Sequence, residues 1–531
     1  MKRTASGSSF PFGDIVSGFL VFLIALPLSL GISVASGFPP LAGIITAIVG
    51  GMLSGVLAGA PLTIKGPAAG LIVIAVGTIE TLAPLGNGYR LALAVIAISG
   101  AIQVILGLLK VGKLREFFPP TVVHGMMAAI GLIIISKQVH VLLGVKPSGK
   151  SPLELLVEIP QSLLLLNPKA VLIGGVSLLL LIGMPKVAGQ LSKKIPSPLV
   201  VVIVATLLAQ WLEVGKEGTY QLAGRTYATG KDLLINLPGS LLKAITFPDF
   251  SHVFSFSSWK YIIMFALVGS LESLLTVEAI DQIDPHRRQS NPDKDLVAIG
   301  VGNLVCGLIG GLPMISEVVR SSANLNNGAQ TRWANWFHGL FLLLFVAFFP
   351  HWIGQIPLAA LAAILVHVGY RLASPKQFKH IWQIGKEQMV VFVTTIVVTL
   401  STDLLIGVAS GIVVKWAILW IYGASPASAF KSYLSIKQIA QDVFYVGVGN
   451  DAIFSNFLSF KKQFGQIPQG QQVVIDFSKA PIVDCTFMER LYQLQHAYAN
   501  TGGKIQITGL EQHAPFSAHP LSGRRRTTSI V

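Results

Sequence analysis

Long apolar stretches recur through most of this chain, and they limit its fold more than any other feature of the sequence. There are about fourteen, two of them short. They cover residues 14–33, 39–58, 67–79, 91–109, 121–139, 170–184, 197–212, 260–277, 295–311, 317–328, 336–349, 356–370, 388–402 and 404–422. A helix needs roughly 20 apolar residues to cross the hydrocarbon core of a bilayer. We therefore predict a multi-span α-helical membrane protein of about fourteen helices.

The composition excludes several classes of protein. The 531 residues are 52% hydrophobic and only 12% charged, which is too apolar for a soluble domain. Two cysteines, Cys306 and Cys485, are too few for a disulfide scaffold or a cysteine-rich metal cluster. The sequence contains no recognisable phosphate-binding loop, metal cluster or nucleophile constellation. We therefore expect neither an enzyme nor an ATP-driven pump, and no cofactor.

The basic residues lie between the apolar stretches and give the chain a net charge of +15. The loops that fall on one side of the membrane are rich in them: Lys110, Lys113, Arg115, Lys186, Lys193, Lys194, Arg371, Lys376, Lys379 and Lys386. The positive-inside rule makes this side cytoplasmic, and an even number of spans returns the chain to the side on which it began. We expect a lipid bilayer as the partner and no nucleic acid, with both termini cytoplasmic.

The hydropathy pattern of the sequence changes after Tyr422. Strand-like runs at 443–448 and 472–477 alternate there with more polar, helix-like segments. This pattern predicts a small cytoplasmic α/β domain at 439–531, joined by a linker at 424–438 to a membrane domain at 1–423. The cluster Arg524-Arg525-Arg526 is interpreted as a solvated tail.

Two of the apolar stretches begin with a glycine and proline break. One break covers residues 60–70, before the third stretch, and the other covers 310–316, before the tenth. Each interrupted stretch is the third in its half of a seven-plus-seven arrangement. Because seven is odd, the second half is inverted relative to the first, and paired interruptions indicate the central site of a transporter.

The residues at the breaks suit an anion. We predict that Pro67 occupies the first turn of one half-helix and that Gly66 lets backbone approach a ligand closely. Ser316 is predicted to cap the second half-helix, which residues 326–328 would end. Two helix N-termini that face each other present free N–H groups and positive dipole ends to an anion. The alternative is a kinked packing helix in each half.

Several motifs resemble the SulP anion permeases, the solute carrier 26 family. They occur in order at residues 14–31, 37–43, 66–69, 119–144 and 313–331. The segments 473–478, 484–486 and 503–509 resemble the cytoplasmic STAS domain that members of this family carry. The resemblance implies an inverted repeat of fourteen helices, divided into a core and a gate, in a homodimer that works by alternating access.

The resemblance also implies the anion site. It would lie between the third and tenth helices, mostly on backbone N–H groups, with Arg320 supplying positive charge. The implied contacts are Gly66, Pro67, Ala68, Ser316, Glu317 and Val318. Glu272 lies within the eighth apolar stretch, where a carboxylate is expensive. Its position resembles the acidic residue that couples transport to Na⁺ or protons, and its alternative role is packing alone.

This chain departs from the family pattern at three places. Lys65 and Glu317 stand where small residues are usual, so we hypothesise an ion pair of Lys65 with Glu317 or Glu272. Such a pair would favour proton coupling or none; alternatively, Lys65 snorkels to the cytoplasmic surface. In the STAS-like segment, Asp484 is followed by Cys485 and Thr486 where bacterial relatives have Asp-Ser-Ser-Gly. A folding or dimer-contact role for the domain is favoured over phosphorylation of Thr486.

The leading prediction is a secondary active transporter of bicarbonate or sulfate. One alternative is a proton-coupled C4-dicarboxylate transporter, since helix dipoles do not distinguish carboxylate from sulfate. Another is an anion channel, or a membrane sensor that signals through the STAS domain. The style of the C-terminal segment and the lack of a recognisable transit sequence favour a bacterial inner membrane.

Overall fold

A computed structural model describes residues 12–149, 151–187, 195–222, 224–237, 241–499 and 501–527. Every predicted span contains a helix. Eight helices in these ranges are long and apolar enough to cross a membrane. The multi-span helical fold is therefore confirmed. Lys193 and Lys194 lie outside the described residues, as do the side chains of Lys113 and Arg115.

The first half of the membrane region contains the helices that follow. They are α1 (Phe12–Ala35), α2 (Pro40–Val49), α3 (Ile72–Leu82), α4 (Gly88–Leu108), α5 (Pro120–Leu142), α6 (Pro152–Leu164), α7 (Pro168–Val187) and α8 (Ser197–Trp211). Helix α2 continues through a π-helical segment at Gly50–Ser54, and α3 is preceded by a 3₁₀ turn at Ala69–Leu71. Helix α6 was not among the predicted spans; it is short and starts with a capping box at Ser151.

The second half repeats this pattern after a hairpin of β2 (Gly218–Leu222) and β3 (Arg225–Thr229). Its helices are α9 (Phe256–Ile283), α10 (Pro292–Ile309), α11 (Val318–Asn326), α12 (Trp333–Phe348), α13 (Leu358–Leu372), α14 (Pro375–Ile384), α15 (Lys386–Ser401) and α16 (Leu404–Ile421). Helix α14, which the apolar pattern missed, is short and amphipathic.

Two short strands join the halves. Strand β1 (Ile64–Pro67) pairs antiparallel with β4 (Met314–Glu317), and Ile64 lies opposite Glu317 in the register. Both predicted helix starts are wrong by a few residues: Pro67 ends a strand, and Ser316 lies within one. The N-cap of α11 is Glu317, which makes no side-chain capping bond. The predicted end of this helix at residues 326–328 is confirmed.

The described residues form two compact units. The first comprises residues up to 112 and 130–371, and the second comprises 113–129 and 372 onward. In the first unit, α4 packs directly against α10 because glycines face each other. A Cβ atom at Gly100 would collide with the backbone of α10, and one at Gly300 would lie 2.5 Å from the Val104 nitrogen.

The second unit combines α14, α15 and α16 with the C-terminal α/β domain. Its main sheet has the order β5-β6-β7-β9, in which β6, β7 and β9 are parallel. The strands are β5 (Leu434–Ala440), β6 (Val443–Val448), β7 (Gln472–Asp476) and β9 (Lys504–Thr508), and the helices are α17 (Phe457–Phe464) and α18 (Cys485–Ala499). Strand β5 begins before the predicted domain start at 439.

A second, small sheet corrects the interpretation of the C-terminal arginines. It has the order β10-β11-β8, with β8 (Ile482–Val483), β10 (His513–Pro515) and β11 (Arg524–Arg526). The arginine cluster is therefore the central strand of this sheet and not a solvated tail. Its pairing partners lie earlier in the chain, so the local charge run did not reveal them.

Candidate anion site

The ribbon of β1 and β4 sorts its side chains onto two faces. Side chains alternate along a strand, so Lys65 and its partner Ser316 project from one face. The pair Gly66 and Ile315 belongs to the other face, together with Glu317. The face with Lys65 meets Asp295 on α10, and the face with Gly66 meets Arg320 on α11.

Arg320 lies against the Gly66 face. It is fully buried, and a Cβ atom at Gly66 would lie 2.5 Å from its Nη1 atom. Its three guanidinium nitrogens have no hydrogen-bond partner within the described part of the chain. The Glu317 Oε2 atom lies 3.9 Å from Arg320 Nε and also lacks a partner. A buried guanidinium with free donors is strongly disposed to receive an anion.

The two helix starts lie beside this guanidinium. Ala68, which is 2% exposed, precedes the 3₁₀ turn that leads into α3. Glu317 caps α11 without a side-chain bond, and the N–H groups in the first turn of a helix have no acceptor within the helical ladder. The structure thus brings the predicted residues together. Among them, the Ser316 hydroxyl donates to Asp295, and Val318 is 46% exposed. That they contact an anion stays a prediction.

Glu272, on α9, lies against the start of α3. A Cβ atom at Gly70 would collide with its carboxylate. The carboxylate is also close enough to Glu317 for the two negative charges to repel each other. The described ranges contain no group of three or more His, Cys, Asp or Glu residues that could hold a metal ion. A role of Glu272 in coupling stays a prediction.

Lys65 has a different partner from the one predicted. Its Nζ atom lies 2.9 Å from Asp295 Oδ1 on α10, and it donates to the Ala60 carbonyl at 3.3 Å and to Thr63. Ser316 Oγ donates to the other oxygen of Asp295 at 3.0 Å. The predicted pairs with Glu317 and Glu272 are wrong, because alternation turns Lys65 to the opposite face. The snorkelling alternative is also wrong, since Lys65 is fully buried.

Comparison with known proteins decides the family. The profile of the Sulfate permease family matches residues 12–395. The chain belongs to this family. It is 25% identical to the putative sulfate transporter YvdB of Bacillus subtilis, over 95% of this chain and 93% of that protein. It is also 25% identical to the bicarbonate transporter BicA of Synechocystis, over 94% of this chain and 88% of the relative.

Solved structures of sulfate permease relatives have the same fold. The transmembrane domain of a cyanobacterial bicarbonate transporter, BicA, gives a TM-score of 0.61 at 25% identity, over 75% of this chain and 97% of that one. The overall structure of SLC26A9 gives a TM-score of 0.66 at 15% identity, over 94% and 84%. The sulfate permease family consists of anion transporters, so the prediction that the chain is not an enzyme is confirmed.

Two polar residues that the sequence analysis did not assign to the site support β4 in this member of the Sulfate permease family. Asn303 on α10 accepts from the Met314 nitrogen at 2.6 Å and donates to the Met314 carbonyl at 3.1 Å. Its Nδ2 atom also donates to Gln103 Oε1 at 2.7 Å. Asn303 and Gln103 both lie in apolar stretches, where polar side chains are costly. This placement was the sequence signal that could have identified them.

His338 on α12 was also missed. It is fully buried and close enough to Arg320 for the guanidinium charge to act on the imidazole ring. A single histidine in an apolar stretch gives no indication of which neighbour it will meet, because that depends on how α12 packs. In the structure it adds a titratable group to the surroundings of the guanidinium.

The STAS-like loop places its two predicted residues in the interior. Asp484 is 2% exposed and lies 2.6 Å from Lys415 Nζ. Thr486 is 1% exposed, so its hydroxyl is not presented to a kinase. Burial thus favours the structural interpretation of this loop, and a regulatory role stays a prediction.

Proposed function

We propose that this protein is a secondary active transporter that carries a small inorganic anion of the sulfate or bicarbonate class by alternating access. One observation carries the proposal: the Arg320 guanidinium is fully buried beside Gly66 and leaves all its donors free. Relatives that match nearly the whole chain are named sulfate and bicarbonate transporters, which supports these two substrates.

The chemistry of the site fits an oxoanion. A guanidinium offers a planar fork of N–H donors, and each of the two helix starts adds backbone N–H groups. We assign the anion contacts to Gly66, Pro67, Ala68 and to residues 316–318, in addition to Arg320. The Ser316 hydroxyl donates to Asp295, so Ser316 would contribute through its backbone N–H, which donates to Ser273 Oγ at 3.3 Å in this structure and would have to exchange that acceptor for the anion.

We assign the coupling cation to Glu272. Its carboxylate lies at the Gly70 turn, and Glu317 adds a second negative charge nearby. An incoming anion meets repulsion from these carboxylates, and a proton or Na⁺ on Glu272 would remove the part that is due to Glu272. Cation and anion would therefore bind more tightly together than alone, which is the thermodynamic basis of symport.

We further propose that the protein is a multi-pass component of a bacterial inner membrane with both termini in the cytoplasm. The distribution of Lys and Arg in the loops supports this orientation. The family resemblance supports a homodimer.

The test is radiolabelled uptake into proteoliposomes. Sulfate, bicarbonate and fumarate are compared under an imposed proton or Na⁺ gradient, for the wild type, Arg320→Gln and Glu272→Gln. We expect saturable uptake of one inorganic anion, a large increase in KM in Arg320→Gln, and loss of the gradient effect in Glu272→Gln. Glu80→Gln, which removes an exposed carboxylate near the end of α3, is the matched control.

Other outcomes would assign the protein to another class. Saturable uptake of fumarate alone would establish a dicarboxylate transporter. Electrogenic flux that does not saturate would establish a channel. Absence of uptake for all three anions under both gradients would contradict the transport proposal and favour a sensor.

A further inference from the structure

The last membrane helix carries a lysine in its interior. Lys415 lies on α16 and is 1% exposed, although the rest of the helix is strongly apolar. A buried ammonium is costly within a membrane-spanning helix unless a counter-charge and hydrogen-bond acceptors satisfy it. The partners of Lys415 are therefore part of what makes this helix stable.

The C-terminal domain supplies the counter-charge. Lys415 Nζ lies 2.6 Å from Asp484 Oδ1 and 3.4 Å from Cys485 Sγ. The Gln388 Oε1 atom of α15 accepts the third hydrogen bond at 3.0 Å. An ammonium has three donors, and all three are used. The requirement is mutual, because Asp484 is itself 2% exposed and would be a buried, uncompensated anion without Lys415.

The neighbouring residues keep this cluster at one positive and one negative charge. Burial raises the pKa of the Cys485 thiol, so Cys485 stays neutral and contributes only a weak acceptor. The Gln388 oxygen also accepts from Thr121 Oγ1 at 3.0 Å, which extends the network to the start of α5. Three membrane helices are thus connected through one polar cluster.

A second set of contacts joins the same domain to the segment that precedes α5. Arg490 on α18 donates to the Phe118 carbonyl at 2.9 Å, and also to the Glu116 carbonyl. Lys461 Nζ on α17 lies 2.5 Å from Glu116 Oε1, and the Lys461 side chain is 45% exposed. The C-terminal domain therefore contacts the membrane helices at a buried pair and at a partly exposed pair.

We propose that the loop Asp484–Cys485 is the docking site for Lys415, so that the C-terminal domain serves as the counter-ion of the last membrane helix. The domain then holds the start of α5, α15 and α16 together as one body. This also accounts for the departure from Asp-Ser-Ser-Gly at 485–487. A buried ion pair occupies the acidic loop, and a phosphate on Thr486 would place a second anion beside it.

The test is a double-mutant cycle in the full-length protein, with Lys415→Met, Asp484→Asn and the combined variant. Each single variant leaves one buried charge unpaired, and we expect its apparent Tm in detergent to fall by roughly 5–15 °C. The combined variant removes both charges and is expected to recover most of that loss. If a single variant fails to fold, recovery of monodisperse protein in the combined variant is the readout.

The matched control is an exposed lysine of the same domain. Lys462→Met removes a positive charge from α17 at a side chain that is open to solvent. We expect its apparent Tm to change by less than about 3 °C. Single Lys415 and Asp484 variants that melt like the wild type, or losses that add in the combined variant, would overturn the proposal.

A transport measurement separates docking from a role in the anion site. Arg320 and Gly66 lie outside the polar cluster of Lys415, so the KM for the transported anion should remain within about twofold in Asp484→Asn, while the maximal rate falls. The combined variant should regain that rate. A KM that rises as in Arg320→Gln would contradict a docking role for this loop.

Discussion

Lys65 and Asp295 form a fully buried ion pair, with Nζ 2.9 Å from Oδ1, on the face of the β1 and β4 ribbon that points away from Arg320. Lys65 comes from the first half of the inverted repeat and Asp295 from the second. The carboxylate also accepts from Ser316 Oγ and from the Ala60 nitrogen, both at 3.0 Å. The pair therefore fixes both half-helix starts to α10 and leaves the opposite face to Arg320.

The pair should contribute to stability more than to substrate affinity. Lys65→Met leaves the Asp295 carboxylate unpaired in the interior, which should lower the free energy of unfolding by about 3–5 kcal/mol. Asp295→Asn in the same chain removes the second charge and should restore much of this loss. Thermal unfolding of the two variants checks the expectation. A Lys65→Met protein with wild-type stability would show that the ammonium does not need its partner.

Asp284 should make stability depend on pH at the acid end. It follows α9, and its hydrogen bonds with the Arg288 side chain lower the pKa of the Asp284 carboxyl to about 2. Because the folded pKa is depressed, the stabilisation is complete above the unfolded-state pKa of about 4 and is lost as the pH falls towards 2. Asp284→Asn should flatten the stability profile in this window.

The control for this titration is an exposed carboxylate. Asp232 is 91% exposed, so Asp232→Asn should leave the acid limb of the profile as it is in the wild type. Unfolding is followed from pH 5 to pH 2.5 for both variants. An unchanged slope in Asp284→Asn would show that other carboxyls control acid unfolding.

Local sequence patterns were enough to place the membrane helices, because an apolar run and the helix that it forms are the same segment. The ribbon was not predicted, because strand pairing joins Ile64 to Glu317 across most of the membrane region. For the same reason the sequence predicted correctly that Lys65 has a buried counter-charge, but it predicted the wrong carboxylate. Asp295 is the first residue of an apolar stretch. A carboxylate at such a boundary is equally expected on the surface, so its position did not identify it as the partner.

Gly66, at the candidate anion site, has a steric role that a single methyl group tests. A Cβ atom at Gly66 would lie 2.5 Å from Arg320 Nη1, so Gly66→Ala must displace the guanidinium. We expect the KM for the transported anion to rise about tenfold, with little change in unfolding temperature. Gly175→Ala is the control, because a Cβ atom there meets nothing within 4 Å. Equal KM values in the two variants would place the anion away from Arg320.

Gly70 offers the corresponding test for coupling. A Cβ atom at this position would collide with the Glu272 carboxylate, so Gly70→Ala must move that carboxylate away from the start of α3. Alanine favours the helix itself, so folding should be preserved. If Glu272 carries the coupling cation, uptake should lose its response to the driving gradient, as in Glu272→Gln, while anion affinity changes less than in Gly66→Ala. Counterflow, which needs no gradient, should persist.

The control is Gly183→Ala, where a Cβ atom also lies in open space, and this variant should couple normally. Full coupling in Gly70→Ala would mean that the cation binds elsewhere.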